Sequence, residues 1–86
     1  MKYQRTTGSD PAEALGAYSG YRIRIVVRRE AGSERLLPAV SFRGSESMPE
    51  QPVPAEGRAF GSLEEAFDAG YAQAVAWIDR LDEAGA

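Results

Sequence analysis

Arginine side chains recur two and four residues apart along one stretch of the chain. Arg22, Arg24 and Arg28 alternate with apolar residues, and Arg43 follows a second apolar stretch. Residues two apart on a β-strand share one face, so the pattern predicts an arginine face on a sheet. Guanidinium groups bind phosphates and carboxylates through paired hydrogen bonds. The candidate chemistry is therefore anion binding, with Arg22, Arg24, Arg28 and Arg43 as the contacts.

Three interpretations of this arginine face are open. It could contact the phosphates and base edges of a nucleic acid. It could pair with an acidic protein surface, or it could be a solvated face whose charges deter aggregation. The net charge of −3 weighs against nucleic acid, because dedicated nucleic-acid binders are usually basic. Aromatic residues for stacking on bases are not interleaved with the arginines either.

Other kinds of chemistry have few residues to rest on. The chain contains no His and no Cys, which removes an imidazole base, a thiolate nucleophile and the usual type of zinc site. Carboxylates cluster twice in the C-terminal part, and nothing else completes a catalytic or metal site there. We therefore expect solvated helix surface, no enzymatic activity, and no catalytic, cofactor-binding or metal-binding residues. The two clusters are Glu64, Glu65 and Asp68, and Asp79, Asp82 and Glu83.

The C-terminal quarter of the chain predicts one long helix. Ser62 and Glu65 form a capping box, in which each side chain satisfies a backbone N–H that helix geometry leaves unpaired. Gly70 in mid-helix costs about 1 kcal/mol relative to alanine, and close approach to a sheet would offset that cost. Apolar residues with helical spacing define the packing face: Leu63, Phe67, Gly70, Ala74, Trp77 and Leu81.

Residues 21–42 predict a β-hairpin. Apolar residues alternate with polar ones from Tyr21 to Val27, and a second apolar stretch starts at Leu36. A two-residue turn at Ala31 and Gly32 would place Val27 opposite Leu36. The same register would place Arg29 opposite Glu34.

The remaining segments are less regular. Residues 1–19 predict a tail or a short helical turn over Asp10–Gly16. Pro38 predicts either an unpaired strand edge or pairing that begins beyond it. Residues 44–58 form a Pro/Gly-rich loop, and residues 58–60 could add a short third strand.

These elements predict an α+β fold, in which an antiparallel hairpin of two or three strands packs against one long C-terminal helix. A single ββ(β)α domain would occupy residues 20–82. No apolar run is long enough to cross a bilayer, and the N-terminus lacks a secretory signal. With cysteine absent, we expect a cytoplasmic protein. A core this small favours association with a second copy.

Two resemblances concern the helix entry and the domain as a whole. The run from Gly57 to Phe67 contains Phe-x-Ser-x-x-Glu-Ala entering a helix after a strand. It is similar to the arm-type DNA-binding domains of phage integrases. Residues 20–81 resemble a family of small β-proteobacterial proteins of unknown function with a ββ(β)α domain. That resemblance implies a fold and no activity.

We therefore predict a small non-enzymatic binding or interaction module. Its partner would be another protein or a second copy, without a cofactor and without a membrane. The alternative is a nucleic-acid-binding accessory protein that uses the arginine face.

Overall fold

The structure is a computed structural model that describes residues 3–6, 12–30, 32, 34–44, 47–54 and 58–84. In this part of the chain, an antiparallel sheet packs through one face against a C-terminal helix, which confirms the predicted α+β class. The strands lie in the sheet in chain order. The elements are β1 (Tyr3–Thr6), β2 (Ala12–Tyr18), β3 (Tyr21–Arg29), β4 (Leu36–Arg43), β5 (Gln51–Pro52) and α1 (Leu63–Ala84).

The first two strands lie where the sequence predicts a tail or a helical turn over residues 1–19, and that prediction is wrong. β2 contains no β-branched residue, so its local propensity favours helix. Antiparallel pairing with β3 along the whole of β2 outweighs that preference. Ser19 and Gly20, with φ of 52° and 85°, form the tight turn between the two strands. Asp10 and Pro11, the predicted helix start, lie outside the described residues.

The β3–β4 hairpin forms with a register displaced by two residues from the predicted one. Val27 lies opposite Pro38, where the sequence predicts Leu36. Because side chains alternate between faces, a displacement of two leaves each of them on its predicted face. Ile23 and Ile25 are accordingly buried under the helix.

The turn between β3 and β4 explains the displacement. It is longer than the predicted two residues, and the Glu30 N–H closes it on the Arg35 carbonyl oxygen at 2.9 Å. The predicted pairing of Arg29 with Glu34 is therefore wrong, because Arg29 lies opposite Leu36. An ion pair between Arg35 and Glu30 at 3.8 Å stands in its place.

The outer edge of β4 is paired on both sides of Pro38. Leu36 exchanges two backbone hydrogen bonds with Phe60, each 2.9 Å long. The Val53 N–H donates to the Val40 carbonyl oxygen at 2.8 Å. Pro38 lies between these two contacts, where its missing N–H breaks no ladder bond. The predicted pairing beyond Pro38 is present, but the Leu36–Phe60 bridge shows that pairing does not begin there.

The predicted loop over residues 44–58 contains a short strand. β5 lies within it and pairs with two residues of β4. The third strand predicted at residues 58–60 is a single bridge from Phe60 to β4. Together with β1 and β2, this gives a five-stranded sheet instead of the predicted two or three strands.

The helix begins as predicted, because the Glu65 N–H donates to Ser62 Oγ at 3.2 Å. Its packing face is narrower at the ends than the spacing predicts. Leu63 and Leu81 are 38% and 40% exposed, and Trp77 is half-buried. No helix in the described part of the chain is both long and apolar enough to cross a membrane. The buried face consists of Ala66, Phe67, Gly70, Tyr71, Ala74 and Ile78.

Gly70 marks a close approach of the helix to the sheet. A Cβ atom added there would lie 3.0 Å from Ile25 Cγ2 and 3.1 Å from Val40 Cγ2. The predicted close approach is thereby confirmed. It fixes the helix over β3 and β4, on one face of the sheet.

Candidate functional site

The candidate site is the sheet face opposite the helix, which no other described helix or strand covers. β3 presents it through its alternation of buried and exposed positions. The apolar set, Ile23, Ile25 and Val27, is buried under α1, and the arginine set, Arg22, Arg24 and Arg28, is exposed. We call this surface the open face.

Strand register places two of the predicted arginines directly opposite each other. Arg22 of β3 is the cross-strand partner of Arg43 of β4. Like charges in this position destabilise a sheet, so the pair has an electrostatic cost that a bound anion would remove. Among the described residues, neither guanidinium is part of an ion pair.

Arg24 is held by carboxylates of the protein itself. Its Nη2 lies 3.0 Å from Glu13 Oε2, and its Nη1 lies 3.9 Å from Glu50 Oε1. Ser41 Oγ donates to the same Glu50 oxygen at 2.5 Å. The hydrogen bond to Glu13 and its charge, followed by the charge of Glu50, raise the pKa of Arg24. Arg24 is therefore already paired within the protein, unlike Arg22 and Arg43 among the described residues.

The open face contains a depression of about 490 Å³. Arg22, Arg24 and Arg43 line it, so the structure brings three of the four predicted residues together. Arg28 lies outside the depression, because it follows Arg24 by four residues along β3, a distance of about 13 Å. It is the cross-strand partner of Leu37. The described residues contain no group of three His, Cys, Asp or Glu side chains that could hold a metal ion.

No family model, no curated protein and no solved structure matches the chain. Both resemblances drawn from the sequence therefore stay predictions.

The contribution of β2 to this face was not predicted from the sequence. Leu15 lies opposite Arg24 and is 52% exposed, and Ala17 lies opposite Arg22. With Leu37 of β4, which is 36% exposed, they add apolar surface beside the arginines. The signal that could have revealed β2 is the dipeptide Ser19-Gly20, which is typical of a tight turn between two strands.

The charge of the open face is positive. Among the described residues, the side chains on this face include four arginines (Arg22, Arg24, Arg28 and Arg43) and two glutamates (Glu13 and Glu50), a net charge of +2. The whole chain has a net charge of −3. The positive charge is thus concentrated on one surface of an acidic protein.

Proposed function

We propose that this protein is a small non-enzymatic binding module whose open face binds an acidic surface of a partner protein. The observation that carries the proposal is the one-sided cover of the sheet: in the described residues, one helix packs on one face of five strands. The other face offers a broad, rigid surface on paired strands. Its residues are held by the backbone ladder before any partner arrives, which lowers the entropic cost of binding.

The mixture of side chains supports a protein partner. Arg22 and Arg43 supply charge-assisted hydrogen bonds to carboxylates. Leu15 and Leu37 supply exposed apolar area that a protein can cover. Arginine is enriched at protein interfaces, where its planar group pairs with carboxylates and its stem packs on apolar atoms.

A second copy bound face to face is disfavoured by charge. Two open faces in contact would each carry a net charge of +2 and would repel each other, with the Arg22–Arg43 pair of each copy adding to the repulsion. The partner we propose is therefore a different protein with carboxylates around an apolar centre.

Nucleic acid is the second candidate, and one observation favours it. Arg22 and Arg43 lie opposite each other without an ion pair in the described part of the chain, so two adjacent guanidinium groups are available to phosphates. Counterion release would make such binding strongly dependent on salt. The exposed leucines and the net negative charge of the chain make it the second choice.

Binding of two labelled probes distinguishes the candidates. Fluorescence anisotropy would compare an acidic peptide of alternating Glu and Leu with a short DNA duplex. For the peptide, we expect Arg22→Glu with Arg43→Glu to weaken binding about tenfold or more, since each arginine loses a charge-assisted hydrogen bond. Arg58→Glu with Arg80→Glu makes the same charge change on exposed side chains elsewhere and should have little effect.

A second variant separates the two partner classes. Leu15→Ser removes exposed apolar surface without changing charge. Weaker binding of the peptide and unchanged binding of DNA would support the protein partner. If both double variants bind the peptide equally well, the open face is not the binding surface of the peptide. If DNA binds the wild type, and Arg22→Glu with Arg43→Glu abolishes that binding while Arg58→Glu with Arg80→Glu does not, nucleic acid is the better candidate.

A further inference from the structure

A groove on the opposite side of the molecule forms a separate candidate site. The helix lies chiefly over β3 and β4, so β1 and part of β2 extend beyond its flank. The space between that flank and the two strands has a volume of about 970 Å³. Small residues of the helix, Ala72, Val75 and Ala76, line the groove on the helix side. We call it the β1 groove.

Two tyrosines hold two of the carboxylates of the groove in place. Tyr3 Oη donates a hydrogen bond to Asp68 Oδ1, and Tyr18 Oη donates to Asp79 Oδ1 at 2.8 Å. The sequence predicts solvated helix surface for these aspartates, so their tyrosine partners are a finding of the structure. An ionised carboxylate has about four lone-pair sites, and one hydrogen bond from tyrosine leaves acceptor capacity for a cation. Asp68 and Asp79 are eleven residues apart in the helix, about 16 Å along its axis.

The groove also has an aromatic wall. The ring of Tyr3 lies 6.0 Å from that of Phe67 and 5.8 Å from that of Tyr71. The Arg5 guanidinium lies 5.0 Å from the centre of the Phe67 ring. This cation–π contact is made by Arg5 itself, and Phe67 is buried, so the aromatic residues that line the groove are Tyr3, Tyr18 and Tyr71.

The charge of the groove favours a cationic ligand. Its lining contains three carboxylates, Glu64, Asp68 and Asp79, and a single arginine, Arg5. The excess of two negative charges attracts lysine and arginine side chains.

β1 gives the groove an edge that an extended chain can join. Within the described residues, β1 pairs only with β2, so its outer backbone groups face away from the sheet. An added strand would form a main-chain ladder with β1 and direct every second side chain toward the helix side. Long basic side chains on the helix side of such a strand would extend toward the carboxylates on the near flank of α1.

We propose that the β1 groove is a docking site for an extended, basic segment of a partner protein, which adds to β1 as a further strand and directs lysine or arginine side chains to Asp68 and Asp79. This site does not depend on the function proposed for the open face. The two surfaces carry opposite charges and lie on different sides of the sheet.

The test uses a defined peptide and isotope-labelled protein. The probe is a short peptide in which two lysines, four residues apart, alternate with threonine and valine; its control has glutamate in place of both lysines. We expect chemical-shift changes at the amides of Tyr3–Thr6 and of Ala72–Ala76, together with slower amide hydrogen exchange in β1. The glutamate peptide should produce neither.

Variants of the carboxylates test the recognition itself. Asp68→Asn and Asp79→Asn should each weaken binding of the lysine peptide about tenfold, because each loses a charge-assisted contact. Glu34→Gln makes the same change of charge on an exposed turn residue and should have no effect. The spectrum of each variant also reports whether it folds.

Three results would overturn the proposal. The first is the absence of shifts in β1 and the groove at millimolar lysine peptide. The second is equal affinity of wild type and both aspartate variants. The third is a dimer mass in light scattering with β1 amides already protected in the protein alone, which would assign the edge to a second copy.

Discussion

Gly70→Ala tests how closely the helix approaches the sheet. A Cβ atom at this position would lie 3.0 Å from Ile25 Cγ2 and 3.1 Å from Val40 Cγ2. Carbon atoms in contact lie about 3.5–4.0 Å apart, so the helix and the strands must separate by about 0.5 Å. Ile25 and Val40 are both buried in the core, so neither side chain can move into solvent.

Two effects of opposite sign decide the change in the free energy of unfolding. Alanine stabilises a helix interior by about 1 kcal/mol relative to glycine. Overpacking of a close-packed core costs about 1–3 kcal/mol. With the middle of that range, Gly70→Ala should lower the free energy of unfolding by about 1 kcal/mol. For a domain of this size, that corresponds to a decrease in Tm of about 4–8 °C.

Urea unfolding measures this change, with far-UV circular dichroism and the fluorescence of the single tryptophan, Trp77, as probes. Ala76→Gly, at an exposed position of the same helix, is the control for helix propensity and should cost about 1 kcal/mol. In a Val40→Ala background, Gly70→Ala should cost less, because one of its two close contacts is gone. If Gly70→Ala instead stabilises the protein by the amount that Ala76→Gly removes, the helix does not approach the sheet as described.

Three further predictions concern the helix cap, the core and one tyrosine. Ser62→Ala should lower the free energy of urea unfolding by about 1 kcal/mol and Ser62→Asp should not, since aspartate also caps; equal losses would contradict the cap. In the same assay, Phe67→Ala, at a position 1% exposed, should cost about 3–5 kcal/mol. Leu63→Ala, at 38% exposure, should cost less than about 1 kcal/mol, and equal costs would contradict the assigned packing face. Burial beside aromatic rings, and then the hydrogen bond to Asp68, raise the pKa of Tyr3 from 10.0 to about 12. Ultraviolet titration should therefore show one late tyrosine step that Tyr3→Phe removes, and an unchanged titration curve would contradict it. Since the folded pKa lies above the ordinary one, the stability that Tyr3 contributes is complete below pH 10 and is lost as the pH rises toward 12.

The helix and β3 were predictable because several local signals agree there. Ser62 caps the helix, the apolar spacing follows its turns, and the glycine at position 70 occurs where the helix approaches the sheet closely. In β3, β-branched residues alternate with arginines, so propensity and pattern both indicate a strand. A local prediction is reliable when residue propensity, apolar spacing and capping all indicate the same element, as they do here.

The N-terminal strands and the hairpin register depend on contacts that local pattern does not specify. β2 has a helix-favouring composition and becomes a strand because β3 pairs with it. Alternation decides which face a side chain occupies, but a register displaced by two residues satisfies the same alternation. The turn closed by Glu30 and Arg35 selects between the two registers.

The position of the arginines on one face was predictable from the sequence, but their neighbours on other elements were not. Arg22, Arg24 and Arg28 share a face by their spacing alone. Arg43 lies on the same face, opposite Arg22, because a register displaced by two residues keeps every side chain on its predicted face. Glu13, which holds Arg24, lies on the strand that the sequence misses. The pairing of Tyr3 with Asp68 joins the first strand to the helix across the length of the chain, and no local pattern indicates it.

The most direct test of the open face as the binding surface is a heteronuclear NMR titration of labelled protein. The acidic Glu/Leu peptide and DNA would each be added at about 50 and 200 mM salt. We predict that the peptide shifts amides of Leu15, Arg22, Arg24 and Arg43 at both salt concentrations, and that any shifts caused by DNA disappear at the higher one. Peptide-induced shifts confined to the helix, or none in the open face at the lower salt, would show that the peptide does not bind the open face.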